Sequence, residues 1–452
     1  MKRKSRLTTY FICLLLCISF ALSSCNLNKS AGIVDAEINK RGELILIYGD
    51  GTEQNLGVVV GTDGQDGQDG EDGTDGKDGK DGEDGQNGSL TIEGAQNGVS
   101  AASAKGLRSA VRIICNFEAT VQNGYRPGRP TVEEYSSEGS GVIYEIDKTT
   151  GSAFIITNYH VVYDVDSDTK NGISDDINVY LYGSEVDGKE IKATYVGGSL
   201  YYDIAVLLVE NSDILKQSDA RAVNIADSDG VFAGDSAIAI GNAQGLGISC
   251  TSGIVSVDSE YITMTAADER TEVSFRVMRV DTAINSGNSG GGLYNGNGDL
   301  IGIVNAKIIY EGVESIGYAI PSNVAVSIAK NIIDYCYKTD VERVQRALLG
   351  ITVSASDSKA IYDAKTGRIS IKETVSVYEI SSSSLAEGVL KEGDVLVSAA
   401  INGKSTQITR QHHIIDMMLD VRAGDTVTLN ILRDGKDLSV DITVTKDCLT
   451  AY

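Results

Sequence analysis

Three features of this 452-residue chain predict a mostly β fold. Between about Ala101 and Thr339 the sequence breaks into short β-rich runs separated by turn signals, as expected for barrels. The run Leu293-Tyr-Asn-Gly-Asn-Gly-Asp-Leu-Ile-Gly-Ile-Val304 reads as a strand, an Asn-Gly hairpin and a second strand. Immediately before it, Asp281-Thr-Ala-Ile-Asn-Ser-Gly-Asn-Ser-Gly-Gly-Gly-Leu293 places Ser289 in a glycine turn with no helix after it.

A serine in such a turn presents its hydroxyl beside converging backbone N–H groups. Acyl-transfer enzymes combine a nucleophile and an oxyanion hole in this way. Serine alone is a poor nucleophile and needs a base. The chain holds three histidines, and two of them, His412 and His413, are adjacent near the C-terminus. They read as partly exposed helix residues without a catalytic role. The third, His160, stands in Phe154-Ile-Ile-Thr-Asn-Tyr-His-Val-Val162, and Asp203 heads the apolar run Ile204-Ala-Val-Leu-Leu-Val209 between it and Ser289. Gly287-Asn-Ser-Gly-Gly291 formally fits the G-x-S-x-G elbow of α/β-hydrolases. That fold requires a helix after the serine, with its acid and histidine later in the chain. The order His160, Asp203, Ser289 is that of the chymotrypsin-type double β-barrel.

Gly139-Ser-Gly-Val-Ile143, Thr157-Asn-Tyr-His-Val-Val162, Tyr202-Asp-Ile-Ala-Val206, Gly234-Asp-Ser-Ala-Ile-Ala-Ile-Gly-Asn242, Thr251-Ser-Gly-Ile-Val-Ser256, Asn285-Ser-Gly-Asn-Ser-Gly-Gly-Gly292 and Ile316-Gly-Tyr-Ala-Ile-Pro-Ser-Asn323 resemble, in order, the blocks of the HtrA serine proteases. The resemblance implies a trypsin-like protease over 101–339 with His160, Asp203 and Ser289 as its catalytic triad. The N–H groups of Gly287 and Ser289, with Asn288 between them, would hold the oxyanion. It further implies unfolded or misfolded exported polypeptides as substrates, and a homotrimer. Ser286 and Ala243 stand where the family often has proline, which bears on loop rigidity and removes no functional group. The aliphatic strand Leu300–Ala306 is expected to wall the pocket for small or medium apolar side chains.

Asn323 to Tyr335 has helical spacing and should lead out of the second barrel. Beyond it, 345–448 resembles one PDZ domain in the HtrA arrangement, an α+β module that takes peptide C-termini as an added strand. Leu349, Gly350 and Ile351 match its carboxylate-binding turn, and Gln411 to Leu419 would line the groove.

The N-terminus carries Lys2, Arg3, Lys4 and Arg6, then an apolar stretch ending in Leu22-Ser-Ser-Cys25. This reads as a bacterial lipoprotein signal over 1–24, with Cys25 as the lipidated residue that anchors the chain at the outer face of the cytoplasmic membrane. Residues 25–60 follow as a short segment, with Asp35 to Tyr48 and Gln54 to Val60 forming a β-hairpin. From Gly61 to Gly88 glycine recurs at every third position, mostly as Gly-X-Asp. The period is collagen-like. The absence of proline and the excess of ten acidic residues over two lysines favour an extended acidic linker, whereas a trimeric protease would suit a three-chain stalk.

The formal charge of −24 argues against nucleic acid as a partner, since phosphate binding wants a basic surface. No cofactor or metal is expected. Cys115, Cys250, Cys336 and Cys448 lack metal-type spacing and read as single thiols, with a disulfide left open by the compartment. The loop Asp164 to Asp176 alternates aspartates, but its glycine falls too late for an EF-hand, so a solvated acidic turn is favoured over a calcium loop. Two function classes follow: an anchored endopeptidase, or a non-proteolytic chaperone or scaffold. The intact triad favours the first.

Overall fold

The structure is a computed structural model that describes residues 33–41, 43–49, 51–58, 98–121, 130–184, 188–306, 316–339 and 344–451. The signal segment 1–24, Cys25 and the spacer 61–88 lie outside the described residues.

The N-terminal segment forms a three-stranded antiparallel sheet of β1 (Ile33–Ile38), β2 (Glu43–Tyr48) and β3 (Glu53–Val58), in that order. Asp35 to Tyr48, expected as one arm of a hairpin, is therefore two strands. Asn39 makes the break. Its side-chain oxygen accepts from the N–H groups of Arg41 at 2.8 Å and Glu43 at 3.2 Å, a local turn that competes with strand pairing.

From Ser89 onward the chain is a separate compact unit. It opens with two closed six-stranded barrels. The first contains β4 (Ala110–Val121), β5 (Thr131–Asp147), β6 (Ser152–Thr157), β7 (Asp176–Leu181), β8 (Ile191–Ser199) and β9 (Ile204–Val209), closed as β4-β5-β6-β9-β8-β7. The second contains β10 (Ser236–Gly241), β11 (Ser249–Thr265), β12 (Glu272–Val280), β13 (Gly292–Tyr294), β14 (Leu300–Val304) and β15 (Gly317–Pro321), closed as β10-β11-β12-β15-β14-β13. Closure removes sheet edges and turns alternate side chains inward. Ile113, Ile143, Ile155 and Leu207 pack in one cluster, and Ile238, Phe275, Val277, Ile303 and Ile320 in another. The helix expected near Asn323–Tyr335 spans Ser322–Ile332 and widens into a π-helical turn over Ile333–Tyr337. It packs on β8, β9 and β14, which leaves β9 buried along its whole length.

A smaller domain follows. β16 (Gln345–Ala347) pairs with β23 (Leu449–Ala451) and ties its start to its end. Between them lie β17 (Ile351–Asp363), β18 (Arg368–Ile380), β19 (Val395–Ile401), β20 (Lys404–Gln407), β21 (Thr426–Arg433) and β22 (Lys436–Thr443). The sheet order is β17-β18-β19-β21-β22, with β20 against β19. β17 is an edge strand, and the helix Gln411–Met417 packs near it. Among the described residues no helix is long and apolar enough to cross a membrane.

One ion pair anchors this domain. Arg433 donates both arms to Asp394 at 2.7 Å each, and the Lys391 N–H adds a third bond at 2.8 Å. Burial works to raise the Asp394 carboxyl, but Arg433 and the backbone N–H outweigh it and hold it below the usual range. A carboxylate held low stabilises the fold above its ordinary pKa and loses that contribution as pH falls through the folded value. Asp394→Ala should therefore cost ~3 kcal/mol at pH 7, read from urea midpoints. The difference from the parent protein should shrink below about pH 4.

Candidate active site

His160, Asp203 and Ser289 lie on three connections that the barrels bring together. His160 sits in the single helical turn Tyr159–Val162 after β6, Asp203 directly precedes β9, and Ser289 lies between β12 and β13. Asp203 has φ +54°, a left-handed conformation that aspartate tolerates better than most side chains. Its Oδ1 accepts from the His160 backbone N–H at 2.9 Å, and its Oδ2 lies 2.6 Å from His160 Nδ1. A carboxylate only accepts, so Nδ1 carries the ring proton and Nε2 keeps its lone pair. Two asparagines complete the clamp, Asn305 donating to Asp203 Oδ2 and Asn158 to the Asp203 carbonyl, each at 2.8 Å.

Ser289 is 5 % exposed, and its Oγ accepts from the Ala306 N–H at 3.3 Å. Among the described residues it makes no hydrogen bond to His160, although both side chains line one cleft of about 390 Å³. Such bonds are often long in free enzymes and shorten when substrate closes the site.

The turn around Ser289 is held from several sides. The Ser286 carbonyl accepts from the Gln244 N–H at 2.7 Å, which in a planar trans peptide points the Gly287 N–H away from that loop. The N–H groups of Gly287 and Ser289 have no acceptor among the described residues. Asn288 differs: its N–H donates to the Asn285 carbonyl at 3.0 Å, so Asn288 is a spacer and the available donors are two. Gly287 has φ +90°, and a Cβ there would sit 2.2 Å from the Asn242 carbonyl oxygen, so no other residue fits.

Ser140 on β5 clamps this turn to the first barrel. Its Oγ donates to the Gly287 carbonyl and accepts from the Asn242 N–H, both at 2.7 Å. Its N–H donates to the Ser289 carbonyl at 2.8 Å, and its carbonyl accepts from Thr157 Oγ1 at 2.7 Å. Ser140, Asn242 and Asn305 were not singled out from sequence. Ser140 lies in the Gly139-Ser-Gly block, but the partners of its hydroxyl, Gly287 and Asn242, are more than 100 residues away, and spacing cannot reveal them.

The cleft wall differs from the apolar expectation. Of Leu300–Ala306 only Ala306 reaches the cleft, because Leu300, Ile301, Ile303 and Val304 are fully buried in barrel packing. The rest of the wall is mixed: Val161, Tyr163, Val165 and Ala267 line it together with the carboxylates of Glu138, Asp164, Asp166 and Glu269. The other carboxylates of the acidic loop do not converge on one point. Asp168 accepts from Thr120 Oγ1, while Asp176 accepts from Lys192 and Asn116. Among the described residues Cys115, Cys250, Cys336 and Cys448 are free thiols, and burial pushes Cys115 up to about 12 and Cys336 up to about 11.

In the second domain Leu349, Gly350 and Ile351 line a groove with Ile414, Ile415 and Met418. The Leu349 carbonyl accepts from the Ala386 N–H at 3.0 Å and the Gly350 carbonyl from the Ser381 N–H at 2.8 Å. The N–H groups of Leu349 and Gly350 have no acceptor among the described residues, which leaves two donors at the groove's end. Gly350 has φ +74°, and a Cβ there would lie 2.2 Å from Ser384 Cβ.

The helix Gln411–Met417 also meets the second barrel. Buried Arg276 on β12 bridges Asp229 at 2.9 Å and Asp416, Arg410 pairs with Asp258 at 3.0 Å, and Ser259 Oγ lies 3.2 Å from His412 Nδ1. His412, expected at a partly exposed surface, is 5 % exposed because the barrel covers that side of the helix. Burial pushes His412 down to about 4, and pushes Asp416 up to about 6 against the pull of Arg276.

Residues 139–303 match the trypsin-like peptidase domain family, and residues 347–444 match the PDZ domain family. The chain is 33% identical over 323 residues to the Serine protease Do-like HtrA of Lactococcus lactis subsp. cremoris, covering 69% of this chain and 72% of that protein. It is 34% identical over 349 residues to the Serine protease Do-like HtrA of Bacillus subtilis, covering 74% and 70%. It is 33% identical over 312 residues to the Periplasmic serine endoprotease DegP of Escherichia coli, covering 69% and 57%. With a double barrel, a groove-bearing C-terminal domain and these relatives, the chain belongs to the HtrA family of trypsin-like serine proteases with a PDZ domain.

Proposed function

We propose that this protein is an extracytoplasmic endopeptidase that cuts unfolded or damaged exported polypeptides through His160, Asp203 and Ser289. The observation that carries this reading is the His160–Asp203 contact at 2.6 Å, which leaves Nε2 as a base in the cleft that Ser289 shares. His160 takes the Ser289 proton as Oγ attacks the peptide carbonyl, then returns it to the leaving amine. Asp203 holds the tautomer and stabilises the imidazolium. The N–H groups of Gly287 and Ser289 receive the oxyanion, each commonly worth about 3 kcal/mol in the transition state.

The PDZ domain receives a peptide C-terminus at Leu349, Gly350 and Ile351, and the peptide extends along β17. The proposed organisation is a signal over 1–24, lipidated Cys25, an N-terminal segment over 25–60, an acidic tether over 61–88, the protease over 101–339 and the PDZ domain over 345–448. The protein would act as a homotrimer at the outer face of the cytoplasmic membrane. The relative named as periplasmic supports an extracytoplasmic site of action, and the sequence of the N-terminus supports the anchor.

Casein digestion by the purified protein beside Ser289→Ala tests the reading. The parent protein should degrade casein and the variant should not. Equal digestion by both would overturn the assignment, and binding of casein without cleavage by either would favour the scaffold.

A further inference from the structure

The seam between the second barrel and the PDZ helix gathers metal-binding chemistry that proteolysis does not use. Asp229 lies in the turn Ser228–Gly230 ahead of β10, and His412 and His413 open the helix Gln411–Met417. One ligand atom from each residue lies within 4.8 Å of the other two. We propose that Asp229, His412 and His413 bind a divalent transition-metal ion, zinc being the ion that suits this donor set, and that the ion bridges the protease and PDZ domains.

Neighbouring oxygens prepare the imidazoles. His412 Nδ1 faces Ser259 Oγ at 3.2 Å, and His413 Nδ1 faces the Gln407 carbonyl at 3.0 Å. Each oxygen can accept the Nδ1 proton, which leaves Nε2 as the ligand atom, the arrangement that usually orients metal-binding histidines. The Thr409 N–H also approaches His413 Nδ1, at 3.2 Å, and pulls the other way; the carbonyl contact is shorter. His412 Nε2 lies 3.6 Å from Asp229 Oδ1. Arg276 occupies that same oxygen at 2.9 Å, while Asp229 Oδ2 has no partner among the described residues.

Charge favours a dication. Arg276 is offset by Asp416, so the Asp229 carboxylate supplies one net negative charge beside two neutral rings. Two imidazoles and one carboxylate suit zinc and its neighbours better than calcium or magnesium, which take oxygen donors. Ligand atoms around a tetrahedral zinc sit roughly 3.4 Å apart, so from a spread of at most 4.8 Å the groups need to close by up to about 1.4 Å. Asp229 is partly open to water and His413 is only half-buried, which gives an ion a way in. The same helix contributes Ile414 and Ile415, and its C-terminal cap Met418, to the peptide groove, so a bound ion would fix one wall of that groove to the protease.

The test is zinc titration by calorimetry of the full chain carrying Ser289→Ala, which prevents self-digestion. His413→Ala, Asp229→Asn and His160→Ala are then added singly. Both site variants change residues that are not fully buried, and circular dichroism checks that each still folds. One zinc per chain is expected, with affinity reduced more than about tenfold by His413→Ala and by Asp229→Asn and unchanged by His160→Ala. Absence of zinc binding overturns the proposal. Equal affinity in the folded site variants does so too, as does loss of binding with His160→Ala alone.

Discussion

Asp203→Asn should lower kcat on a peptide substrate roughly 10,000-fold while leaving the protein folded. Asparagine keeps the shape and also tolerates the left-handed backbone at this position, where φ is +54°. It can still accept from the His160 backbone N–H at Oδ1. What it loses is the second acceptor. Asp203 Oδ2 now receives both His160 Nδ1 at 2.6 Å and the Asn305 amide at 2.8 Å. An amide NH₂ placed there donates instead, which favours the imidazole tautomer whose lone pair points at residue 203. Nε2 then carries the proton and cannot take another from Ser289. The measurement is kcat beside a thermal melt. A loss below about tenfold would show that Asp203 does not set the tautomer.

Ser140→Ala should have the second largest effect, roughly 100-fold on kcat with little change in KM. Ser140 is buried and does not line the cleft, so its expected role is that of a positioning residue. Its hydroxyl joins the Gly287 carbonyl to the Asn242 N–H, and removing it strands a half-buried acceptor and a buried donor. The Gly287 peptide then loses one of the bonds that fix its plane, and its N–H spends less time aimed at a developing oxyanion. Stability should also fall, by about 1–3 kcal/mol. If the variant melts early but keeps kcat at saturating substrate and low temperature, Ser140 serves only the fold.

The site was legible where chemistry and spacing coincide in a short run. Ser289 stands in a glycine turn, and His160 and Asp203 adjoin apolar strands in the right chain order, so the barrels followed from them. Residues that work across long separations left no such trace. Ser140 and Asn242 are ordinary polar residues until 102 positions of chain fold back and bring them together. His412 shows the opposite error. Its short helix reads as a surface element, yet the barrel supplies the missing cover through Arg276, Ser259 and Asp229. The aliphatic run Leu300–Ala306 reads as a pocket wall because aliphatic content looks the same in a pocket and in a core, and of it only Ala306 lines the cleft. A closed barrel sends the side chains of Leu300, Ile301, Ile303 and Val304 into the core and leaves the cleft to Ala306 and to a mixed wall, with Val161, Tyr163 and Val165 beside the carboxylates of Glu138, Asp164, Asp166 and Glu269.

The central claim is that Ser289 is activated by His160 in a turn already shaped to hold an oxyanion. Reaction with a fluorophosphonate tests it most directly, since only an activated serine displaces fluoride from phosphorus at a useful rate. Mass spectrometry of the labelled protein should find one adduct per chain, on the peptide that contains Ser289. The adduct should vanish in Ser289→Ala, in His160→Ala and after denaturation. A folded parent protein that stays unlabelled, or label that persists on Ser289 in His160→Ala, would contradict the account.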